Sequence, residues 1–283
     1  NNAQREHLEF MHTVQAVAEE NGSVLAALPM DGVAVFPAGD AYTALWQGLA
    51  AGRRCVTFGG ALADVRCTQA QWQGDAWQVT LATPQGPLEC ALHIAGRHNV
   101  TNAQAAAACA LAAGVPLDAI ARGLGAFEPV KGRSRALGVR CGERTVTVVD
   151  DSYNANPDSM HAAIEVLAEL PAPRLLVLGD MGEVGDQGPQ FHAEAGAHAR
   201  ARGIERLYAL GTLSRHTAQA FGTATHFDDM ASLLAAVRQA LPEVGSVLVK
   251  GSRFMKMEQV VEALTSTAQA AAAAQEANHG TKH

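Results

Sequence analysis

The chain has 283 residues, a net charge of −7 with histidines neutral, and 48% apolar residues, enough for two ordinary domains with real cores. No Lys/Arg cluster accompanies that acidic balance, which excludes nucleic acid or an anionic membrane surface as the main partner and leaves room for small anions held by a few placed cations. Cys55, Cys67, Cys90, Cys109 and Cys141 form no CxxC pair and sit mostly among apolar residues, as expected of reduced, buried thiols in a cytoplasmic protein; no apolar run approaches the ~18 residues of a membrane span, and no signal-peptide pattern opens the chain.

The chain starts Asn1-Asn2-Ala3 without a methionine and reads as a trimmed or truncated product. Leu8, Met11, Val14, Val17, Val24, Leu25 and Leu28 fall at helical spacing and predict a helix over 7–28, interrupted near Asn21-Gly22. Short strands are predicted at 33–36, 54–58, 64–72, 77–82 and 88–94. The last three alternate between turns at Gln73-Gly74-Asp75 and Pro84-Gln85-Gly86, so they are expected to be antiparallel. Gly96-Arg97-His98-Asn99 opens an Ala-rich helix to about 113, and a second helix follows over 117–127.

Beyond the turn at Lys131-Gly132-Arg133 the texture changes. Strands at 145–149, 174–178, 206–210, near 225 and at 246–249 alternate with helices at 159–169, 190–202, 214–221, 229–240 and 257–264. That alternation predicts a mainly parallel sheet with helices on both faces. The expected domains are therefore 1–135 and 136–264, followed by an Ala-rich tail over 265–283 that reads as frayed helix or disorder.

Three of the later strands end in polar residues. Val149 runs into Asp150-Asp151-Ser152-Tyr153-Asn154-Ala155-Asn156-Pro157, Leu178 into Gly179-Asp180-Met181-Gly182-Glu183, and Val249 into Lys250-Gly251-Ser252-Arg253. In a parallel α/β sheet all such ends open on one edge, where ligands bind. The first loop can hold a ribose, a phosphate or a metal, or can simply cap the helix that Pro157 begins. Asn99 and Asn102, three apart on one helical face, can read an adenine edge, or Asn99 can be an N-cap. Lys250 can meet a phosphate or snorkel to the surface. Arg133 can clamp a phosphate or be a solvated hinge charge, and His7 can be a metal ligand or a polar residue of the first turn. Neither Gly-x-Ser-x-Gly nor HExxH occurs, and Gly179, Gly182 and Gly185 do not have the dinucleotide spacing.

Taken in series, Gly96-Arg97-His98-Asn99 with Asn102, Gly132-Arg133, the Asp150–Pro157 segment, Leu178-Gly179-Asp180-Met181-Gly182-Glu183 and Val249-Lys250-Gly251-Ser252-Arg253-Phe254-Met255-Lys256-Met257-Glu258 resemble the motifs of the Mur ligases. The likeness is greatest to those that add D-Ala-D-Ala to UDP-MurNAc-tripeptide in peptidoglycan synthesis. It implies a C-terminal Rossmann-like domain over 136–264, preceded by the remainder of a P-loop-type central ATPase domain over 1–135. The Gly-Lys-Thr phosphate loop of that domain and the acidic Mg²⁺ segment after it are absent from these 283 residues, so the piece alone is expected to be inactive.

The resemblance also implies ATP and Mg²⁺ as cofactors, and a monomeric enzyme that makes an acyl phosphate of the tripeptide carboxylate and lets the amine of D-Ala-D-Ala displace it. By the same resemblance His7 falls on a Mg²⁺-site histidine, Asn99 and Asn102 on the adenine side, and Arg133 and Asp151 on nucleotide phosphate and ribose. Lys250 falls near the transferring phosphate, Asn154 and Asn156 near the dipeptide or the nucleotide, and Ser252 and Arg253 on the substrate side. One departure concerns the family's carbamoylated lysine. The helix after His7 reads Val17-Ala18-Glu19-Glu20-Asn21-Gly22-Ser23 without a lysine, so either a carboxylate such as Glu19 or Glu20 partly replaces the carbamate or the correspondence with the family slips here. Another Mur or folylpolyglutamate-type ligase, or a non-catalytic nucleotide-binding regulatory module, would share many of these features.

Overall fold

A computed structural model describes residues 2–73 and 76–266. The expected turn at Gly74-Asp75 and the tail from 267 onward, with its Ala271–Ala274 run, lie outside the described residues. The chain forms two compact units that divide at Pro129/Val130, a few residues before the 135 suggested by sequence. Residues 130–134 go with the second unit because Gly132 and Ser134 donate backbone N–H groups to Asp150 and Asp151.

In the first unit, α1 (Leu8–Met11) and α2 (Val14–Ala26) replace the single helix expected over 7–28. The break is at His12 and Thr13 rather than at Asn21-Gly22: His12 has φ 63°, and the Thr13 hydroxyl accepts from Ala16 N as an N-cap. Gly22 stays helical because α2 packs closely on α3 (Thr43–Leu49), and a Cβ there would come within 2.6 Å of Leu49 Cδ1. Trp46 of α3 donates its indole N–H to Ala18 O at 2.8 Å. Strands β1 (Val33–Pro37) and β2 (Arg54–Phe58) pair in parallel. Ala34 and Phe36 face α2 and α3, while Val33, Val35, Val56 and Phe58 face the other way, the period-two alternation of a strand. The expected antiparallel set is present as β3 (Arg66–Gln73), β4 (Ala76–Thr83) and β5 (Gly86–Leu92). Its apolar face packs with α4 (His98–Ala112) and α5 (Leu117–Gly125). The thiols are less buried than expected: Cys109 on α4 is exposed, and the other four cysteines are partly buried.

The second unit carries one six-stranded sheet. It contains β6 (Arg135–Cys141), β7 (Arg144–Asp151), β8 (Arg174–Gly179), β9 (Arg206–Leu210), β10 (Thr225–Phe227) and β11 (Ser246–Lys250) in the order β10-β9-β8-β11-β7-β6. All neighbours are parallel except β6, an antiparallel edge strand that the sequence reading missed. Helices α6 (Pro157–Ala168), α7 (Gly188–Ala201), α8 (Ser214–Phe221) and α9 (Met230–Ala240) connect the strands, and 258–266 is helical. Val146, Val148, Leu175, Val177, Val247 and Val249 share one core with α9 and with Val260, Val261 and Leu264. Val149, Leu176, Leu178 and Leu248, also fully buried, point to the opposite face, where α6 packs on β8 and β11. Apolar side chains on both faces make these strands read as continuous Val/Leu runs.

Candidate functional site

The three polar strand ends recognised in the sequence lie on neighbouring strands, because β11 inserts between β7 and β8. Parallel register sets Lys250 opposite Asp151. Side chains alternate faces, so Asp151 and Lys250 lie on one side of the sheet and Asp150 on the other. The Lys250 side chain is 3% exposed, and its ammonium donates to Asp151 Oδ2 at 2.6 Å and to Asn154 O at 2.9 Å. This is not the snorkelling lysine allowed for by the sequence: the side chain is buried and both contacts are partly buried, and an ammonium has three donors, which leaves one for a ligand.

The two aspartates have separate tasks. Asp150, 1% exposed, accepts from Gly132 N at 2.9 Å and from the backbone and hydroxyl of Ser152. Asp151 accepts from Ser134 N and Oγ as well as from Lys250. A charge-assisted bond of this kind is worth ~1.5–3 kcal/mol, so the connector at 132–134 is strapped to the end of β7. Farther along that loop, Asn154 is exposed and its Oδ1 accepts from Ala155 N. Asn156 Oδ1 accepts from Ser159 N while Ser159 Oγ accepts from Asn156 N, a reciprocal cap that starts α6 at Pro157, two residues before the start expected from sequence. The carbonyl of Asn156 is thereby engaged, and its amide nitrogen is the group left to offer.

Ser252 links the other two loops. Its hydroxyl accepts from Gly182 N at 2.6 Å and donates to Ala155 O at 3.2 Å, and its N–H donates to Asp180 O. Arg253 is exposed and reaches Glu258 at 3.4 Å. Arg133 is exposed, with its guanidinium carbon 4.1 Å from the centre of the Tyr153 ring.

Behind this edge lies a cluster that the sequence reading did not single out. Asp180 accepts from Leu213 N and Ser214 N at the start of α8. His192, 1% exposed, accepts from Met181 N at Nε2, so its proton sits on Nδ1, which meets Gly188 O at 2.7 Å. Burial pushes the pKa of this imidazole below its ordinary value, against the smaller opposing pull of the Gly188 carbonyl and Asp180. Asp180 belongs to the 179–183 strand end already read from the sequence, but its bonds to the start of α8 were not foreseen. His192, a lone histidine in a helix, carried no signal.

In the first unit, α4 begins at His98 with Arg97 as the N-cap residue, so Asn99 is not a cap. It is buried instead and donates to Ala95 O at 2.7 Å, while its Oδ1 accepts from the exposed Asn102 at 2.9 Å. The two amides thus share one helical face. His7 is exposed at the entry to α1 with φ 53°. Among the described residues it belongs to no cluster of three or more metal-ligating side chains. Glu19 and Glu20 are both exposed on α2.

A mainly parallel sheet whose polar strand ends touch one another defines an α/β ligand-binding domain of the doubly wound kind. Residues 1–110 match the Mur ligase middle domain, and residues 134–253 match the glutamate ligase domain of the Mur ligases. The chain belongs to the Mur ligase family. It is 37% identical over 268 residues to the UDP-N-acetylmuramoyl-tripeptide--D-alanyl-D-alanine ligase of Escherichia coli, a match covering 93% of this chain and 59% of that protein. It is 33% identical to the Haemophilus influenzae enzyme of the same name, covering 93% and 58%. A crystal structure of MurF from Acinetobacter baumannii superposes with a TM-score of 0.86 at 30% identity, over 94% of this chain and 58% of that one. The chain thus spans less than two thirds of the length of these relatives. Among the described residues, no helix is long and apolar enough to cross a membrane.

Proposed function

We propose that the chain is part of an ATP-dependent amide ligase that adds D-Ala-D-Ala to UDP-MurNAc-tripeptide in peptidoglycan synthesis, acting as a cytoplasmic monomer. The observation that carries this reading is the meeting of the 150–157, 180–183 and 250–253 loops on adjacent strands, with Lys250 and Ser252 joining them. Identity to relatives that bear this name supports the choice of substrates.

A carboxylate is a poor electrophile; bound ATP supplies the phosphoryl group that converts the tripeptide carboxylate to an acyl phosphate, from which the dipeptide amine displaces phosphate to give the amide. In this reading Asn102, with Asn99 behind it, offers amide groups to an adenine edge. Arg133 and Asp151 serve phosphate and ribose. The remaining donor of Lys250 serves the transferring phosphoryl oxygens, and Asn154, Asn156, Ser252 and Arg253 serve the substrate side. Mg²⁺ is implied by the resemblance, with His7 as a ligand. The described residues by themselves do not fit a metal, since no cluster of three ligating side chains includes His7, and no step is assigned to one.

In the complete polypeptide encoded by the gene, sustained multiple-turnover ADP release should require both UDP-MurNAc-tripeptide and D-Ala-D-Ala, since the acyl phosphate must be consumed by the dipeptide amine before the next cycle. Equal ADP formation with a single amino acid in place of the dipeptide would sink the assignment in favour of another Mur or folylpolyglutamate-type ligase. Nucleotide binding with no turnover would favour a regulatory module.

A further inference from the structure

Tyr153 is 44% exposed in the loop after β7, and two guanidinium groups approach its ring: Arg133 with its central carbon at 4.1 Å from the centroid, and Arg253 at 5.7 Å. Both distances lie within the range of cation–π attraction. The three residues come from the connector before β6, the loop after β7 and the loop after β11, so their meeting is a product of the fold.

The backbone that presents them is fixed. Gly132 has φ 82°, and a Cβ there would come within 3.0 Å of Tyr153 N. Tyr153 N donates to Gly132 O at 3.1 Å, and Gly132 N donates to Asp150. Arg133, the next residue, is thereby laid alongside the ring. Arg253 follows Ser252, whose hydroxyl is held between Gly182 N and Ala155 O.

Two like charges on one ring repel each other, and little among the described residues offsets that repulsion. Arg133 forms no ion pair among the described residues, and Arg253 has only the 3.4 Å contact to Glu258. The two distances to the centroid added together set the upper limit on the separation of the guanidinium carbons, a span that a chain of linked phosphates can bridge. A single bidentate fork uses up the two oxygens of a carboxylate, whereas a phosphate chain offers oxygens to both forks.

We infer that Tyr153 is a positioning residue that holds Arg133 and Arg253 as a pair on one anion of the polyphosphate class. Arg253 then touches the same anion as Arg133 in addition to its place on the substrate side. Only the identification of that anion as a nucleotide phosphate chain rests on the ligase reading.

The test titrates inorganic tripolyphosphate into the 283-residue chain at low salt, by calorimetry, with circular dichroism melting to verify folding. Tyr153→Phe, which keeps the ring face, should bind within about twofold of wild type. Tyr153→Leu should bind about 3- to 10-fold more weakly, the size expected for losing exposed cation–π contacts to two arginines. Arg133→Gln and Arg253→Gln should each weaken binding, and Tyr153→Leu should have little further effect once both are made. Wild-type affinity in Tyr153→Leu, an equal loss in Tyr153→Phe, no effect of Arg253→Gln, or no tripolyphosphate binding by the wild-type chain would each overturn the inference. The ligase reading is decided separately, by ADP formation in the complete polypeptide.

Discussion

The two units hold their candidate residues in different ways. In the second, residues far apart in sequence become lateral neighbours: Lys250 and Asp151 are 99 positions apart yet form a partly buried pair, because β11 lies beside β7 in fixed register. In the first, the candidates sit at helix starts. Asn99 meets Asn102 one helical turn away, and His7 joins no metal-ligating cluster among the described residues. A sheet edge brings distant polar groups together through strand order, whereas a helix start gathers only what is local in sequence.

The largest expected effect tests that dependence on lateral pairing. Lys250→Met leaves the Asp151 carboxylate largely buried without its cation, and breaking such a pair costs ~3–5 kcal/mol. All three tryptophans, Trp46, Trp72 and Trp77, lie in the first unit, so indole fluorescence reports on that unit alone. Urea unfolding of Lys250→Met should move the circular dichroism transition to lower denaturant and leave the fluorescence transition in place. Equal movement of both would mean that the units unfold together.

A smaller effect should separate the helix pairs of the two units. A Cβ on Gly196 of α7 would run into the backbone carbonyl of Thr217 in α8, which cannot swing away, so Gly196→Ala should cost at least ~2 kcal/mol. At Gly22 the obstructing atoms belong to the side chains of Leu49 and Trp46. Those atoms can shift, and alanine gains ~1 kcal/mol of helix propensity over glycine, so Gly22→Ala should change stability by no more than ~1 kcal/mol. The same two unfolding probes check both variants.

The smallest effect is a pH slope confined to the second unit. Buried His192 has a lowered pKa, so the folded state binds fewer protons than the unfolded state around the ordinary value of 6.5. Stability is therefore full above that value and declines as pH falls from 6.5 toward the lowered pKa, by no more than ~1.4 kcal/mol per pH unit. Asp180 and His216 also face the ring, with opposite influence. His192→Gln should flatten the slope of the dichroism midpoint below pH 6.5; an unchanged slope would assign it to other groups.

Much of this fold could be read from the sequence, because buried parallel strands stand out as Val/Leu runs cut off by polar residues. The strands that escaped notice lack that signature. In β6, Arg-Ala-Leu-Gly-Val-Arg-Cys sits at a sheet edge with much of its surface exposed. The short α3 was hidden by the Gly48 near its end. Polar strand ends were legible as candidates, but their adjacency was not: nothing along the chain announces that β11 lies between β7 and β8. For the same reason Lys250 could be read as a phosphate ligand or a surface residue, while the pairing with Asp151 was out of reach. Asn156 was legible both as a cap and as a ligand group, and its carbonyl oxygen is occupied by the first of these roles.

The position of β11 also governs the order in which the second unit can be assembled. Among the described residues it is the last strand in sequence but an inner strand of the sheet, hydrogen-bonded to β7 on one side and β8 on the other. During synthesis β6 and β7 can pair, and so can β8, β9 and β10, but the two half-sheets stay apart, each with an unpaired inner edge, until residues 246–250 have left the ribosome. Such edges are templates for association with other chains. The domain therefore matures in one late step, and a nascent chain stopped before Ser246 carries the apolar strands of a sheet that it cannot close.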